Sequence, residues 1–192
     1  NGAVYTRTVS NVFNAYGNND PNTDGDGHGT HCAGTIAGRG AGIAPGANIY
    51  GMKVLSDEGT GYQSDIIAAL DMVANRVSNP DTYGSNRAII SMSLGGSCSG
   101  GDLKCSTDSQ IEAINALSDL GVVVVVASGN EYANACFNSP SASVQAISVA
   151  ATSASDVIAS FSNFGSCIDI LAPGVDIPSA CSSKVDGCDT DT

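Results

Sequence analysis

The string Asp26-Gly-His-Gly-Thr-His-Cys-Ala-Gly34 contains both histidines of the chain. His28 stands where a run of small residues, about His28 to Ala37, can begin a helix, and Gly25, Gly27 and Gly29 surround it. An imidazole placed there is open to a substrate, and histidine is the commonest general base because it titrates near neutrality. His31, one turn on, points into the helix packing. Two structural histidines remain an alternative, as does a metal pair three apart on a helix. The metal pair has neither an H-E-x-x-H pattern nor an obvious third ligand. Just upstream, Asp20-x-Asn22-x-Asp24-Gly25 resembles the start of a calcium loop, but the twelfth position is His31 where such a loop needs Glu. The seven cysteines are a third set of reactive groups. Cys98 and Cys105 are seven apart in a Ser/Gly-rich stretch, Cys181 and Cys188 repeat that spacing, and Cys136 and Cys167 also sit in loop-like sequence. Six loop cysteines plus Cys32 in a helical run fit three disulfides and one free thiol, hence an oxidising compartment. A zinc site needs close cysteine pairs with two residues between them, and there are none.

The elements that must position these groups read as alternating strands and helices. Strands are expected at Asn48 to Val54, Ala88 to Leu94, Val122 to Ala127, Val144 to Val149 and Ile168 to Leu171. After the helix at His28, Ser64 can cap a second one, with Ile66, Ile67, Leu70, Val73 and Val77 on one face. A third begins at Ser106 or Thr107 and carries Ile111, Ile114, Leu117 and Leu120. Residues 1–27 are polar and Asn-rich and suggest no element. Such alternation implies an α/β fold with a mostly parallel sheet and helices on both faces. The unbroken valine run implies a strand buried on both faces. Ligands of such sheets bind beyond the carboxyl ends of the strands. Two ends are informative: one strand runs out into Ser93-Leu-Gly-Gly-Ser97, the other into Ala127-Ser-Gly-Asn130.

Composition removes several function classes. Nineteen acidic residues against seven basic ones give a net charge of −12, which repels nucleic acid and anionic lipid. The longest aliphatic run, Val122 to Ala127, has six residues and is far short of a membrane span. Gly38-Arg-Gly-Ala-Gly42 fails as a dinucleotide loop at Ile43 and Pro45, and no Gly-Lys-Ser/Thr follows any glycine loop. A length of 192 residues suits one domain. Asn1 and the polar last residues read as the ends of a piece of a longer protein, so the expectation is a single partial domain over 1–192.

Gly27-His-Gly-Thr-His-Cys-Ala-Gly34 resembles the histidine segment of the subtilisin-like serine proteases, and the Cys after the second His resembles their proteinase K branch. Met52-Lys-Val-Leu55, Ser91-Met-Ser-Leu-Gly-Gly96, Ala127-Ser-Gly-Asn130 and Ser160-Phe-Ser-Asn-Phe-Gly165 follow in that family's order, and the likeness runs from about Gly25 to Pro178. It implies a three-layer subtilisin-like fold, incomplete at both ends, and a secreted, monomeric endopeptidase acting on proteins or peptides with no catalytic cofactor. His28 matches the base that activates a serine nucleophile. Asn130 matches the side-chain amide of the oxyanion hole. Ser93, Leu94, Gly95 and Gly96 with Ala127, Ser128 and Gly129 match the two walls of the primary specificity pocket. Gly59, Thr60 and Gly61 match the strand that pairs with the substrate backbone. Glu131 is expected at the pocket edge. The pair Cys136–Cys167 resembles a disulfide of aqualysin-type members, and the expected set adds Cys98–Cys105 and Cys181–Cys188, with Cys32 free and buried beside His28.

The family pattern also implies groups that these residues do not supply. The triad Asp belongs roughly thirty residues ahead of the His, and Asp20, Asp24 and Asp26 are too close to His28. No Gly-Thr-Ser-Met-Ala string, which would carry the nucleophile, occurs. The chain alone is therefore expected to be inactive. A catalytically dead relative used for binding is the alternative, decided by whether the flanking sequence retains Asp and Ser. The resemblance further implies a structural calcium ion held by the Asp169 carboxylate and the carbonyls of Val144 and Ala146, an all-oxygen set suited to that ion.

Overall fold

A computed structural model describes residues 8–16, 23–40, 42–83, 87–98, 105 and 107–185. Two compact units emerge, one formed by Asn1–Ala69 with Pro178–Thr192, the other by Leu70–Ile177.

In the first unit, strand β1 (Val9–Asn14) runs parallel to β2 (Ile49–Lys53). The register shifts by one residue between Asn11 and Phe13. The sequence pattern assigned no element to residues 1–27, yet β1 lies there. Its polar Ser10, Asn11 and Asn14 mask the strand, which is specified by a partner forty residues away in sequence. Helix α1 (His28–Ala37) begins where expected. Its run of small residues permits close packing: a Cβ on Gly34 would lie 2.6 Å from the backbone N of Ala180. The Ser179 hydroxyl donates to the His31 carbonyl at 2.7 Å and accepts from Thr35 Oγ1 at 2.9 Å, fastening the 179–182 segment along the helix. Helix α2 (Gln63–Ser78) carries the chain from the first unit into the second, and Ser64 is its second residue rather than its cap. Ile66, Leu70 and Val77 are buried as its periodicity predicts. A single turn, α3 (Pro80–Tyr83), comes next.

The second unit contains a four-stranded parallel sheet in the order β3-β5-β7-β8, formed by Ile89–Met92, Val123–Ala127, Ile147–Thr152 and Ile170–Pro173. A short antiparallel pair joins β4 (Gly96–Ser97) to β6 (Asn138–Ser139). Helix α4 (Ser109–Asp119) packs against β5. Its cap is Asp108, not Ser106 or Thr107: the carboxylate accepts from the N–H groups of Gln110 and Ile111 at 3.0 and 3.3 Å. An aspartate at that position also favours the helix through its charge. Ser139 Oγ donates to the same oxygen at 2.8 Å, so the cap ties the helix to β6. Ile114 and Leu117 of α4 and Val124 and Val126 of β5 are almost wholly excluded from solvent. The other face of β5 departs from the expectation of two-sided burial. Val123 is 44 % exposed, its partner Ile89 is 77 % exposed, and Ile147, the partner of Val125, is 41 % exposed. Strand residues alternate between faces, and α4 covers the side carrying Val124 and Val126.

Candidate active-site segments

His28 is the first residue of α1, and Asp24 builds its entrance. One Asp24 oxygen accepts from the Gly27 N–H at 2.9 Å; the other accepts from the N–H and hydroxyl of Thr30 at 2.8 and 2.7 Å. Burial raises the Asp24 carboxyl, but the hydrogen bonds from Thr30 and Gly27 outweigh it and hold the group below its ordinary 3.8. Asp26 accepts from the His28 N–H at 3.1 Å. Beside it, Asp57 is held low by its hydrogen bond from Lys53, at 2.7 Å, and accepts weakly from Gly25. Asp24 and Asp26 complete the helix N-terminus, where orphan N–H groups and the helix dipole favour negative charge. His28 and His31 line an open cavity of about 460 Å³ with Asp26, Ala180, Ser182 and Val185. The Cys32 thiol, one turn on, lies 3.8 Å from His28 Nε2. It is a free cysteine as expected, but only half-buried rather than enclosed.

In the second unit, Met92 pairs with Val126, so Ser93 and Ala127 leave the carboxyl ends of β3 and β5 side by side. The structure thus brings Ser93–Gly96 and Ala127–Gly129 together at the sheet edge where α/β folds bind ligands. Asn130 follows, exposed to solvent, and its side-chain amide has no hydrogen-bond partner among the described residues. Its backbone, by contrast, is fixed: the N–H donates to Glu131 Oε2 at 3.0 Å. That oxygen also accepts from Asn138 Nδ2 at 2.8 Å and Asn163 Nδ2 at 2.7 Å. Glu131 Oε2 therefore holds its own loop together. Gly129 has φ of 103°, and a Cβ there would collide with Asn163 Nδ2, Glu131 Oε2 and Asn138 Nδ2. Glycine is required on both counts.

The remaining expected site residues are placed as follows. Gly59, Thr60 and Gly61 lie in an exposed turn after β2, closed by the Ser56 N–H on the Thr60 carbonyl at 2.7 Å and propped by the Tyr16 hydroxyl at 3.0 Å. Asp169 and Ser148 exchange two hydrogen bonds, Ser148 N–H to Asp169 Oδ2 at 2.8 Å and Asp169 N–H to the Ser148 carbonyl at 3.0 Å. That places Asp169 just beyond the Val144–Ala146 turn leading into β7. Val144 is 93 % exposed and Ala146 is buried. One Asp169 oxygen carries no protein partner among the described residues, and every candidate donor is a hard oxygen, so the set fits calcium. Disulfides join Cys98 to Cys105 and Cys136 to Cys167, each with a Cα separation of 5.3 Å. Cys181 is also disulfide-bonded; Cys188 lies outside the described residues.

A family model described as the subtilase family matches residues 3–192. The chain belongs to the subtilase family. It is 40 % identical over 168 residues to the subtilisin-like proteinase Spm1 of Pyricularia oryzae, which covers 84 % of this chain and 30 % of that protein. It is 43 % identical over 165 residues to subtilisin-like protease 2 of Pseudogymnoascus destructans, covering 86 % and 38 % respectively. Among solved structures, a cold-adapted subtilisin-like serine proteinase superposes with a TM-score of 0.77 at 33 % identity, over 92 % of this chain and 66 % of the other. This subtilase chain thus spans about a third of the length of these curated relatives. The parallel α/β architecture agrees with the fold that the resemblance implied.

Sequence reasoning about this subtilase missed the Asn163 hub and the role of Asp24. Asn163 was visible only as one letter of Ser160-Phe-Ser-Asn-Phe-Gly165. A polar residue between Ser162 and Phe164 gives no local sign that it will be fully buried. Asp24 gave no such signal either: it lies three residues ahead of the Gly27 N-cap, outside the position where a capping aspartate is expected.

Proposed function

We propose that the protein containing these 192 residues is a secreted serine endopeptidase that cleaves protein or peptide substrates through an acyl-enzyme. Residues 1–192 form part of its single catalytic domain. His28 takes the proton from the serine hydroxyl as it attacks the scissile carbonyl and returns it to the leaving amine. Asn130 donates from its side-chain amide to the oxyanion that develops on the carbonyl oxygen. Ser93–Gly96 and Ala127–Gly129 wall the pocket for the substrate side chain preceding the scissile bond, while Gly59–Gly61 pairs with the substrate backbone as an added strand. Asp169 and the Val144 and Ala146 carbonyls hold a calcium ion that stiffens the entry to β7 and takes no part in the chemistry. The enzyme works as a monomer, without a catalytic cofactor.

The observation that carries this reading is the state of Asn130. Its backbone is anchored while its exposed amide has no protein partner among the described residues, at the end of a parallel strand in a chain of the subtilase family. An amide left free on an anchored backbone is available to donate to a developing oxyanion. The Cys98–Cys105 and Cys136–Cys167 disulfides support secretion. No helix among the described residues is long and apolar enough to cross a membrane. In the full-length protein, Asn130→Ala should lower kcat by roughly 10²–10³ with little change in KM. A change confined to KM would make Asn130 a ground-state contact and remove this assignment.

A further inference from the structure

We infer that Asn163 and Glu131 are positioning residues for the oxyanion donor, setting the direction of the Asn130 amide without touching substrate; this rests on the function proposed for Asn130. Asn163 is 0 % exposed, and all four hydrogen-bonding positions of its amide are used on the loop that carries Asn130. Its Oδ1 accepts from the N–H groups of Glu131 at 3.1 Å and Ala133 at 2.9 Å. Its Nδ2 donates to the Ser128 carbonyl at 2.9 Å and to Glu131 Oε2 at 2.7 Å. The Asn163 N–H adds a bond to the Gly129 carbonyl at 3.0 Å. One buried side chain therefore holds the chain on both sides of Asn130, and Glu131 Oε2 holds Asn130 itself.

The wiring has a clear chemical logic. A buried amide with every position satisfied has no competing partner, so its orientation is fixed. Three N–H donors converge on a single carboxylate oxygen, and bonds to an ionised acceptor are the strong ones. Aspartate at 163 lacks both amide donors and brings a second carboxylate against Glu131. Glutamine at 131 keeps an acceptor but loses the charge. Without the Asn163 donors, or without any acceptor at position 131, the loop backbone can rotate, and the Asn130 amide with it; a displacement of about 1 Å of a catalytic group costs up to about 100-fold.

The test is a double-mutant cycle in the full-length protein, with kcat and KM measured on a chromogenic peptide amide. Glu131→Ala is expected to lower kcat about 10- to 100-fold, within the range set by losing the donor outright, with KM changed less than about twofold. Glu131→Gln should recover a large part of that loss. In the Asn130→Ala background, Glu131→Ala should cost less than about a further twofold, because a positioning residue has nothing left to position. Asn163→Asp should behave like Glu131→Ala where it folds; the Glu131 variants keep the test decisive where it does not. Equal losses from Glu131→Ala in both backgrounds, or a loss confined to KM, would overturn the inference while leaving Asn130 as the donor. An unchanged kcat in Asn130→Ala alone would instead remove the proposed role of Asn130, and this one with it.

Discussion

Removing the Cys136–Cys167 disulfide tests how this chain secures the loop that carries Asn130. The two sulfurs join the turn Ala135–Phe137 to the segment after Phe164, where Ala135 N–H donates to the Phe164 carbonyl at 2.8 Å and Phe164 N–H to the Ala133 carbonyl at 2.9 Å. The cysteines are separated by 31 residues. On the chain-entropy model a loop of that size stabilises by about 3.7 kcal/mol. Cys98 and Cys105 are separated by only 7 residues, and the same model gives about 2.4 kcal/mol. Both figures are ceilings, because residual structure in the unfolded chain reduces the gain. The ordering is the stronger prediction. Urea denaturation of the full-length protein should show Cys136→Ser/Cys167→Ser shifting the midpoint further than Cys98→Ser/Cys105→Ser. With a urea slope of about 1–3 kcal/mol per molar, the first shift is at most on the order of 1–4 M. Equal shifts, or a larger one for the short loop, would refute the argument from loop length.

Replacing His28 by Ala in the full-length protein should lower kcat by several orders of magnitude with an unchanged urea midpoint; casein hydrolysis checks the first and circular dichroism the second. An organomercurial should inhibit by modifying the Cys32 thiol 3.8 Å from His28 Nε2, and Cys32→Ser should abolish that inhibition. Because the Asp24 carboxyl is held below 3.8 in the folded state, its contribution to stability is complete above that pH and lost as the pH falls through the folded value. Asp24→Asn should therefore be less stable than the parent at pH 6, with the gap narrowing towards pH 3, measured by urea midpoint.

Much of this protein was local information. The His28 string, the helix face of Ile66, Leu70 and Val77, and the glycine-rich exits Ser93–Gly96 and Ala127–Gly129 are contiguous patterns whose residue types fix local backbone geometry. The order of those strings was enough to imply the fold, because alternating strand and helix leave few packing solutions. Tertiary structure decided what depends on partners distant in sequence. Strand β1 is polar enough to pass for a loop until it pairs with β2. The α4 cap passed to Asp108, whose carboxylate also receives the Ser139 hydroxyl across a separation of 31 residues. The valine run implied burial on both faces of β5, but among the described residues only the Val124 and Val126 side is covered. Above all, Asn163 reaches Ser128, Glu131 and Ala133 from 30 to 35 residues away. A hydrogen bond depends on distance in space, and an asparagine has the same letter whether it lies in a turn or at the centre of a buried network.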